Sequence, residues 1–502
     1  MRKNNIIHNL KLGVSFVLIA FSFSSCLDLN EDPAKSRLAP GKYSNQAEFE
    51  LGVTGLYRMI ANAASMTTFQ VVGWAGDDIT THRASNKADF REYDQRSVSP
   101  LNARSATNWR AIYAVVRAAN SVLDNADGLV LTNKATQDAL TGETYFIRAL
   151  MFHQLQRTHG QIPLHLSVIP NPTQNKSSVL EVYKQIESDL LKAENLLPVI
   201  YPGVNAGAPR PNKGSARSFL ARLYLDWAGF PVKDQAKYAL AATSAKTVID
   251  NSASHGFSLV PDLENLWTLA GRFSKESIFT LVYSLENGLN NRKYGKLGHP
   301  SDLGGWQETF AEIKYFEDFP DQPRKAATYR LDYAWQDFTD QANPVFKKVV
   351  GPINDISRDA FNTNRNDFVM RYAEVLLIYA EASGRSGNET PAAWEALNQI
   401  KRRAEGLPFV TPSAKDYPST GNIADLAYTE RKWELAGEYL RWNDLVRMEK
   451  VAEAMTNRTK VTSKNSAGVV LKESNDIVGS TGTDNYFAPI PQNEVALNPN
   501  LK

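Results

Sequence analysis

From about Gln46 onward, apolar residues recur at three- and four-residue intervals, the spacing that lines one face of an α-helix. Trp109, Ile112, Tyr113, Val116, Asn120 and Leu123 trace one such stripe. Between Glu143 and His159 there are two: Ile147, Leu150, Met151 and Leu155 on one side, Tyr145, Ala149 and Phe152 on another. A helix that is apolar on two sides is packed between neighbours. Gly160 then offers a left-handed C-terminal cap, and Pro163 prevents the helix from resuming. Arg217 to Gly229 repeats the scheme with Phe219, Leu220, Leu223, Tyr224 and Trp227, closed by Gly229 and Pro231. Val369, Tyr372, Ala373, Leu376, Leu377 and Ala380 give the cleanest stripe, with Asn366-Asp367 as its capping signal and Gly384 as its exit. Similar patterns predict helices near 179–197, 234–251, 390–406 and 424–449.

Paired helices that interleave small and large apolar residues predict a mostly α fold, a tetratricopeptide-like helical scaffold without a strict 34-residue period. Between about 252 and 365 the periodicity fades and glycine and proline rise. Trp267, Trp306 and Trp335 occur there with Tyr283, Tyr294 and Tyr315. This reads as a large irregular, loop-rich insert, and such runs in compact proteins are usually functional. A second Gly- and Ser-rich stretch, about 463–484, precedes the C-terminal segment.

Composition changes this picture at the N-terminus. The 502 residues are 43% hydrophobic and 22% charged, an ordinary globular balance. Arg2, Lys3 and Lys11 precede an apolar stretch from Leu12 to Phe23, the order of a secretory signal and too short to span a bilayer. Taking these three positive charges from the formal net charge of +2 leaves −1, which gives no electrostatic case for nucleic acid as a partner. One cysteine, Cys26, makes an internal disulfide and a thiolate metal site impossible. Phe23-Ser24-Ser25-Cys26 resembles a bacterial lipobox, so lipidation of Cys26 and membrane attachment through acyl chains are expected. The expected organisation is a signal peptide (1–25), a lipidated tether (26–45), an N-terminal helical scaffold (46–251), a ligand-facing insert (252–365), and C-terminal helices that complete the scaffold (366–502).

Five ordered segments carry a family resemblance: Glu143–Leu150 with its exit His159-Gly160-Gln161-Ile162-Pro163, Gly214–Leu225, Met370–Ala382, Glu430–Arg447 and Ala488–Asn500. Together with the lipobox they resemble the SusD/RagB family of outer-membrane nutrient-binding lipoproteins of Bacteroidetes. The resemblance implies a tetratricopeptide-containing scaffold whose loops form a shallow glycan site. It also implies a partner, a TonB-dependent transporter of the SusC type, over which the lipoprotein sits as a lid at the cell surface.

Sugar rings pack their C–H faces on exposed aromatic planes, and their hydroxyls pair with planar amide, carboxylate or guanidinium groups. Val72–Arg83 has this composition: Trp74 as platform, with Asp77, Asp78 and Arg83 as polar partners. Asp77 and Asp78 could equally cap the following segment or contribute to a calcium site. Trp306, Trp335 and Tyr294 are further platform candidates in the insert, whereas Trp109 and Trp227 belong to helix stripes and are expected in the core. Glu430, Arg431, Glu434, Arg441 and Asp444 lie at helical spacings suited to ion pairs between turns, alongside a stripe of Leu435, Tyr439, Trp442 and Val446.

No G-x-S-x-G, H-E-x-x-H or phosphate-loop motif occurs and the histidines are scattered, so an enzyme, a cofactor and a metal centre are not expected. His153 and His159, six apart, do not share a helix face. Capture of peptides or another non-glycan nutrient on the same architecture is the alternative, since fold does not fix ligand.

Overall fold

The computed structural model describes residues 41–65, 68–169, 171–204, 207–294, 296–339, 342–351, 363–456, 458, 463–471 and 475–502. The signal segment, Cys26 and most of the expected tether lie outside the described residues.

The longer helices are α1 (Gln46–Ala64), α2 (Ala88–Asp94), α3 (Ala103–Ala126), α4 (Lys134–His159), α5 (Val179–Leu196), α6 (Lys213–Ala228), α7 (Lys237–Asp250), α8 (Tyr372–Arg385), α9 (Pro391–Ala404), α10 (Ile423–Glu434) and α11 (Arg441–Arg447). Side chains that cap the first turn set several starts. Asn45, Asn102, Asn133 and Asn422 each accept a main-chain N–H three residues on, and Ser178 and Glu181 form a reciprocal capping box.

Each helix packs on the next: α1 on α3, α3 on α4, then α5, α6, α7 and α8 in turn, with α9 and α10 against α8. The stack is mostly α and tetratricopeptide-like, and its C-terminal helices close on N-terminal ones. One apolar core runs through it from Phe49 to Leu501, taking in Trp109 and Trp227 from their predicted stripes. Among the described residues no helix is long and apolar enough to cross a membrane.

The region around residues 252–366 contains short helices, 3-10 turns and two pairings to distant chain. Strand β2 (Ser277–Leu281) pairs antiparallel with β4 (Asp367–Arg371), and β1 (Ile79–Thr80) pairs with β3 (Phe310–Ala311). The first pairing corrects one expectation. Asn366-Asp367 opens strand β4 rather than capping a helix. Asn366 accepts the Tyr283 N–H and donates to the Arg272 carbonyl, and α8 begins only at Tyr372.

A second correction concerns 424–449, expected as one helix. It breaks between α10 and α11, because Gly437 (φ 74°) and Tyr439 (φ 62°) occupy the left-handed region. A Cβ at Gly437 would stand 2.7 Å from the Phe346 ring, and its N–H donates to Asp78 at 2.9 Å. The break turns the predicted stripe of Leu435, Tyr439, Trp442 and Val446 into two separate packing surfaces.

Candidate ligand-binding site

The β1–β3 pairing brings the chain after α1 against the 297–308 loop, and this juxtaposition builds the candidate site. Beyond β1 the strands continue to touch: the His82 N–H donates to the Gln307 carbonyl at 3.3 Å, and the Trp74 indole N–H donates to the Glu308 carbonyl at 3.0 Å. Arg91 holds the 82–84 turn by donating to the Ala84 carbonyl at 2.8 Å, so Arg83 is presented at the surface.

Opposite it, the 297–308 loop folds on itself. The Gly305 and Gln307 N–H groups donate to the Pro300 and His299 carbonyls. Only glycine fits at 305, where a Cβ would meet the His299 oxygen at 1.8 Å. Asp302 accepts the main-chain N–H and hydroxyl of Thr339, bonds that lower its pKa and clip the loop to the 335–339 turn. On the returning arm of the loop Trp306 keeps 45% of its surface exposed.

Charge sits directly behind that ring. The Lys87 ammonium lies 5.4 Å from the Trp306 centroid and 3.0 Å from Glu308 Oε1, and Arg104 approaches the same carboxylate oxygen at 3.6 Å. The Lys87–Trp306 contact is worth roughly 0.5–2 kcal/mol and steadies the ring from one side. Burial lowers the Arg104 pKa, with Glu308 offsetting part of that effect. The result is an exposed aromatic ring on a loop braced by its own main-chain bonds, next in sequence to Gln307, whose carbonyl accepts the His82 N–H, with Arg83 exposed one position beyond His82. That is an arrangement suited to the face and hydroxyls of a sugar ring.

The other proposed platforms are elsewhere. Trp74 is fully buried, its ring 4.4 Å from Phe90 and 5.1 Å from Tyr439, so it is a packing residue and not a platform. Tyr294 is buried beneath the Arg365 guanidinium, 3.9 Å from its ring. Trp335 is buried edge-on against Phe316 at 5.8 Å.

Asp77 and Asp78 are buried as well. Asp77 takes the Nε and Nη2 of Arg441 at 2.7 and 3.3 Å. Burial alone would raise its pKa, but the guanidinium and, more weakly, Lys432 bring it below the usual value. Asp78 accepts the Gly437 N–H, yet burial dominates and Asp77 adds to it, pushing its pKa up to about 7. Among the described residues no three His, Cys, Asp or Glu side chains are grouped to hold a metal ion.

Arg83 and Trp306 are therefore the predicted residues that remain at a surface, on segments joined by the His82–Gln307 main-chain bond. Sequence reading missed Lys87, Glu308 and Asp302. Glu308, two positions from Trp306, carries the only local signal, and Lys87 is recognisable only once β1 and β3 are paired.

Two family models match the chain, one described as "SusD family" over residues 336–502 and one as "Starch-binding associating with outer membrane" over residues 27–225. A SusD-like protein (P2) of Formosa agariphila is 25% identical, with 98% of each chain covered. Among solved structures, a SusD homolog from Bacteroides thetaiotaomicron superposes with a TM-score of 0.77 at 23% identity, covering 91% of this chain and 96% of the other. A laminarin-binding SusD-like protein gives 0.74 at 23% identity, covering 91% and 98%.

Proposed function

Because this chain belongs to the SusD/RagB family, we propose that it captures nutrient glycans on the Trp306 surface at the outer membrane. In this reading it is a lipoprotein anchored through Cys26, and it passes its ligand to a TonB-dependent transporter of the SusC type. Its work is binding rather than bond cleavage.

The observation that carries the reading is the exposed Trp306 ring, on a loop braced by its own main-chain bonds, with Lys87 against the ring. The starch-binding description of the matching family model and the laminarin-binding neighbour point to the same ligand class. A β-linked or α-linked chain of sugars can lay one ring on Trp306 while neighbouring rings meet the polar groups.

The test is affinity electrophoresis of residues 27–502, which contain every described residue, through gels holding plant, microbial and host polysaccharides. Retardation by at least one polysaccharide is expected. Trp306→Ala should reduce that affinity roughly 10–100-fold, as loss of about 1–3 kcal/mol of stacking implies, and Arg83→Ala should reduce it less. Unchanged retardation in Trp306→Ala, or none across the panel for the unmodified chain, would overturn the proposal.

A further inference from the structure

The outer face of α3 forms one side of a groove of about 520 Å³, whose other walls are the chain that follows α4 and the short C-terminal helix Gln492–Leu497. Arg110, Tyr113, Ala114 and Arg117 recur at three- and four-residue intervals and so share that face, while Ile112, Val115 and Val116 of the same helix are in the core. Internal bonds hold the walls. Trp109 packs its ring 4.8 Å from Tyr113 and 5.0 Å from His159, and the Tyr113 hydroxyl donates to the Pro163 carbonyl at 2.8 Å. Asn120 donates to the His165 and Ser167 carbonyls at 2.9 and 3.2 Å, and Asn498 ties the C-terminal segment to the Gln174 carbonyl at 2.8 Å. The groove has the size of a small-molecule site, roughly 300–1,000 Å³, and shares the mostly apolar lining of such sites. Leu497, on its wall, is 79% exposed.

Two positive groups and one negative group line the groove. Arg110 and Arg117 are exposed, and among the described residues neither makes an ion pair or a hydrogen bond. Seven positions apart on one helix, they stand about 10 Å apart along its axis. Glu494 is the one carboxylate. It belongs to the C-terminal wall, accepts the Asn493 side-chain amide at 3.2 Å and pairs with neither arginine. Burial lowers the His165 pKa below its ordinary value, so that imidazole is uncharged at neutral pH. The balance is one positive charge in excess, carried on guanidinium groups that solvent reaches and whose planar donors match a carboxylate.

We propose that this groove binds an amphipathic carboxylate, with its apolar body between Tyr113, Pro163, Pro172 and Leu497 and its head on Arg110 or Arg117. The site shares no residue with the Trp306 surface and does not rest on the glycan reading.

Isothermal titration of residues 27–502 with sodium phenylpropionate, sodium octanoate, phenylpropanol and sodium acetate tests this. Phenylpropionate or octanoate should bind, phenylpropanol roughly 10-fold more weakly for want of the charge, and acetate more weakly still for want of the apolar body. The tighter of the two longer carboxylates tells an aromatic from an aliphatic body. Arg110→Gln combined with Arg117→Gln, both at the surface, should lower the affinity roughly 10-fold at an unchanged melting temperature. Leu497→Ser should lower it less, Glu494→Gln should raise it, and Trp306→Ala should leave it as it is. Raised salt should weaken the carboxylates but not the alcohol, a comparison made in the unmodified chain and so independent of how any variant folds. Phenylpropanol or acetate binding as tightly as phenylpropionate, undiminished affinity in the folded double variant, or salt-insensitive carboxylate binding would overturn the proposal. Silence toward all four probes would overturn it too, and self-association in sedimentation that Leu497→Ser abolishes would then assign the groove to a second copy of the chain.

Discussion

The helical stack and the loop-rich region around residues 252–366 bury aromatic residues by different routes. The helices α4 and α6 are buried on nearly every side, and each packs between neighbouring helices of the stack. In the loop-rich region the partners are often far away in sequence. The Tyr283 hydroxyl donates to the Ala61 carbonyl, Trp267 meets Phe368, and Arg365 covers Tyr294. An aromatic residue outside a helix stripe is thus no indicator of exposure. Trp74, in a 3-10 segment (Thr68–Ala75), and Trp306, in a loop, are both apt for a sugar by composition, yet the first ends inside the fold and the second at its surface.

Charge divides the two regions in the same way. The scaffold's interior holds Glu434, fully buried and shared by Arg324, Arg371 and Arg403 at 3.1, 3.2 and 2.9 Å. Burial alone would raise its pKa, but these three guanidinium groups hold it well below the carboxylate range. The Trp306 loop has instead the smaller Lys87–Glu308–Arg104 cluster behind an exposed ring.

Glu434→Ala attacks the scaffold side and should have the largest effect. It leaves three guanidinium groups short of a buried counter-charge and should cost about 3–5 kcal/mol in urea denaturation. Trp74→Ala should come next, with a loss of about 3 kcal/mol from the cavity left beside Phe90 and Tyr439. If that variant were as stable as the parent but failed to bind polysaccharide, the contrast between the two tryptophans would collapse.

Asp78→Asn probes the seam between α10 and α11. The folded Asp78 titrates near 7, above the ordinary aspartate value of about 3.9, so its proton is held more tightly in the folded chain. Its stabilising contribution is full below about pH 4 and is lost as pH rises through 7, at up to about 1.4 kcal/mol per pH unit. Thermal melts from pH 5 to pH 8 should therefore fall less steeply in Asp78→Asn, which should be the more stable of the two at pH 8. The smallest stability effect, within about 0.5 kcal/mol, is expected for Trp306→Ala despite its loss of ligand. A large destabilisation there would show that the exposed ring is a structural element after all.

Much of the scaffold was legible because its signals are local. The stripes in α3, α4, α6 and α8, the paired-helix organisation and the SusD/RagB resemblance were all present in the chain. The reading failed where a distant partner overrode a local pattern. Asn366-Asp367 has a capping composition but is drawn into a strand by 277–281, and Gly437 interrupts an otherwise regular stripe because Asp78 and Phe346 hold it open. The ion pairs expected within one helix from Glu430 to Asp444 are instead made largely across the fold. Glu430 pairs with Arg324, and Arg431 reaches both Glu374 and Asp444.

By itself the sequence determined which segments are helical and which aromatic residues belong to their stripes, because a residue and those three and four positions away share one face by backbone geometry alone. It also determined the short list from which a binding surface is drawn. The tertiary structure decided which members of that list meet solvent. Exposure depends on what every other part of the chain leaves uncovered, and here the pairing of residues 79–80 with 310–311 joins two segments in which Trp74 is buried while Trp306 and Arg83 meet solvent.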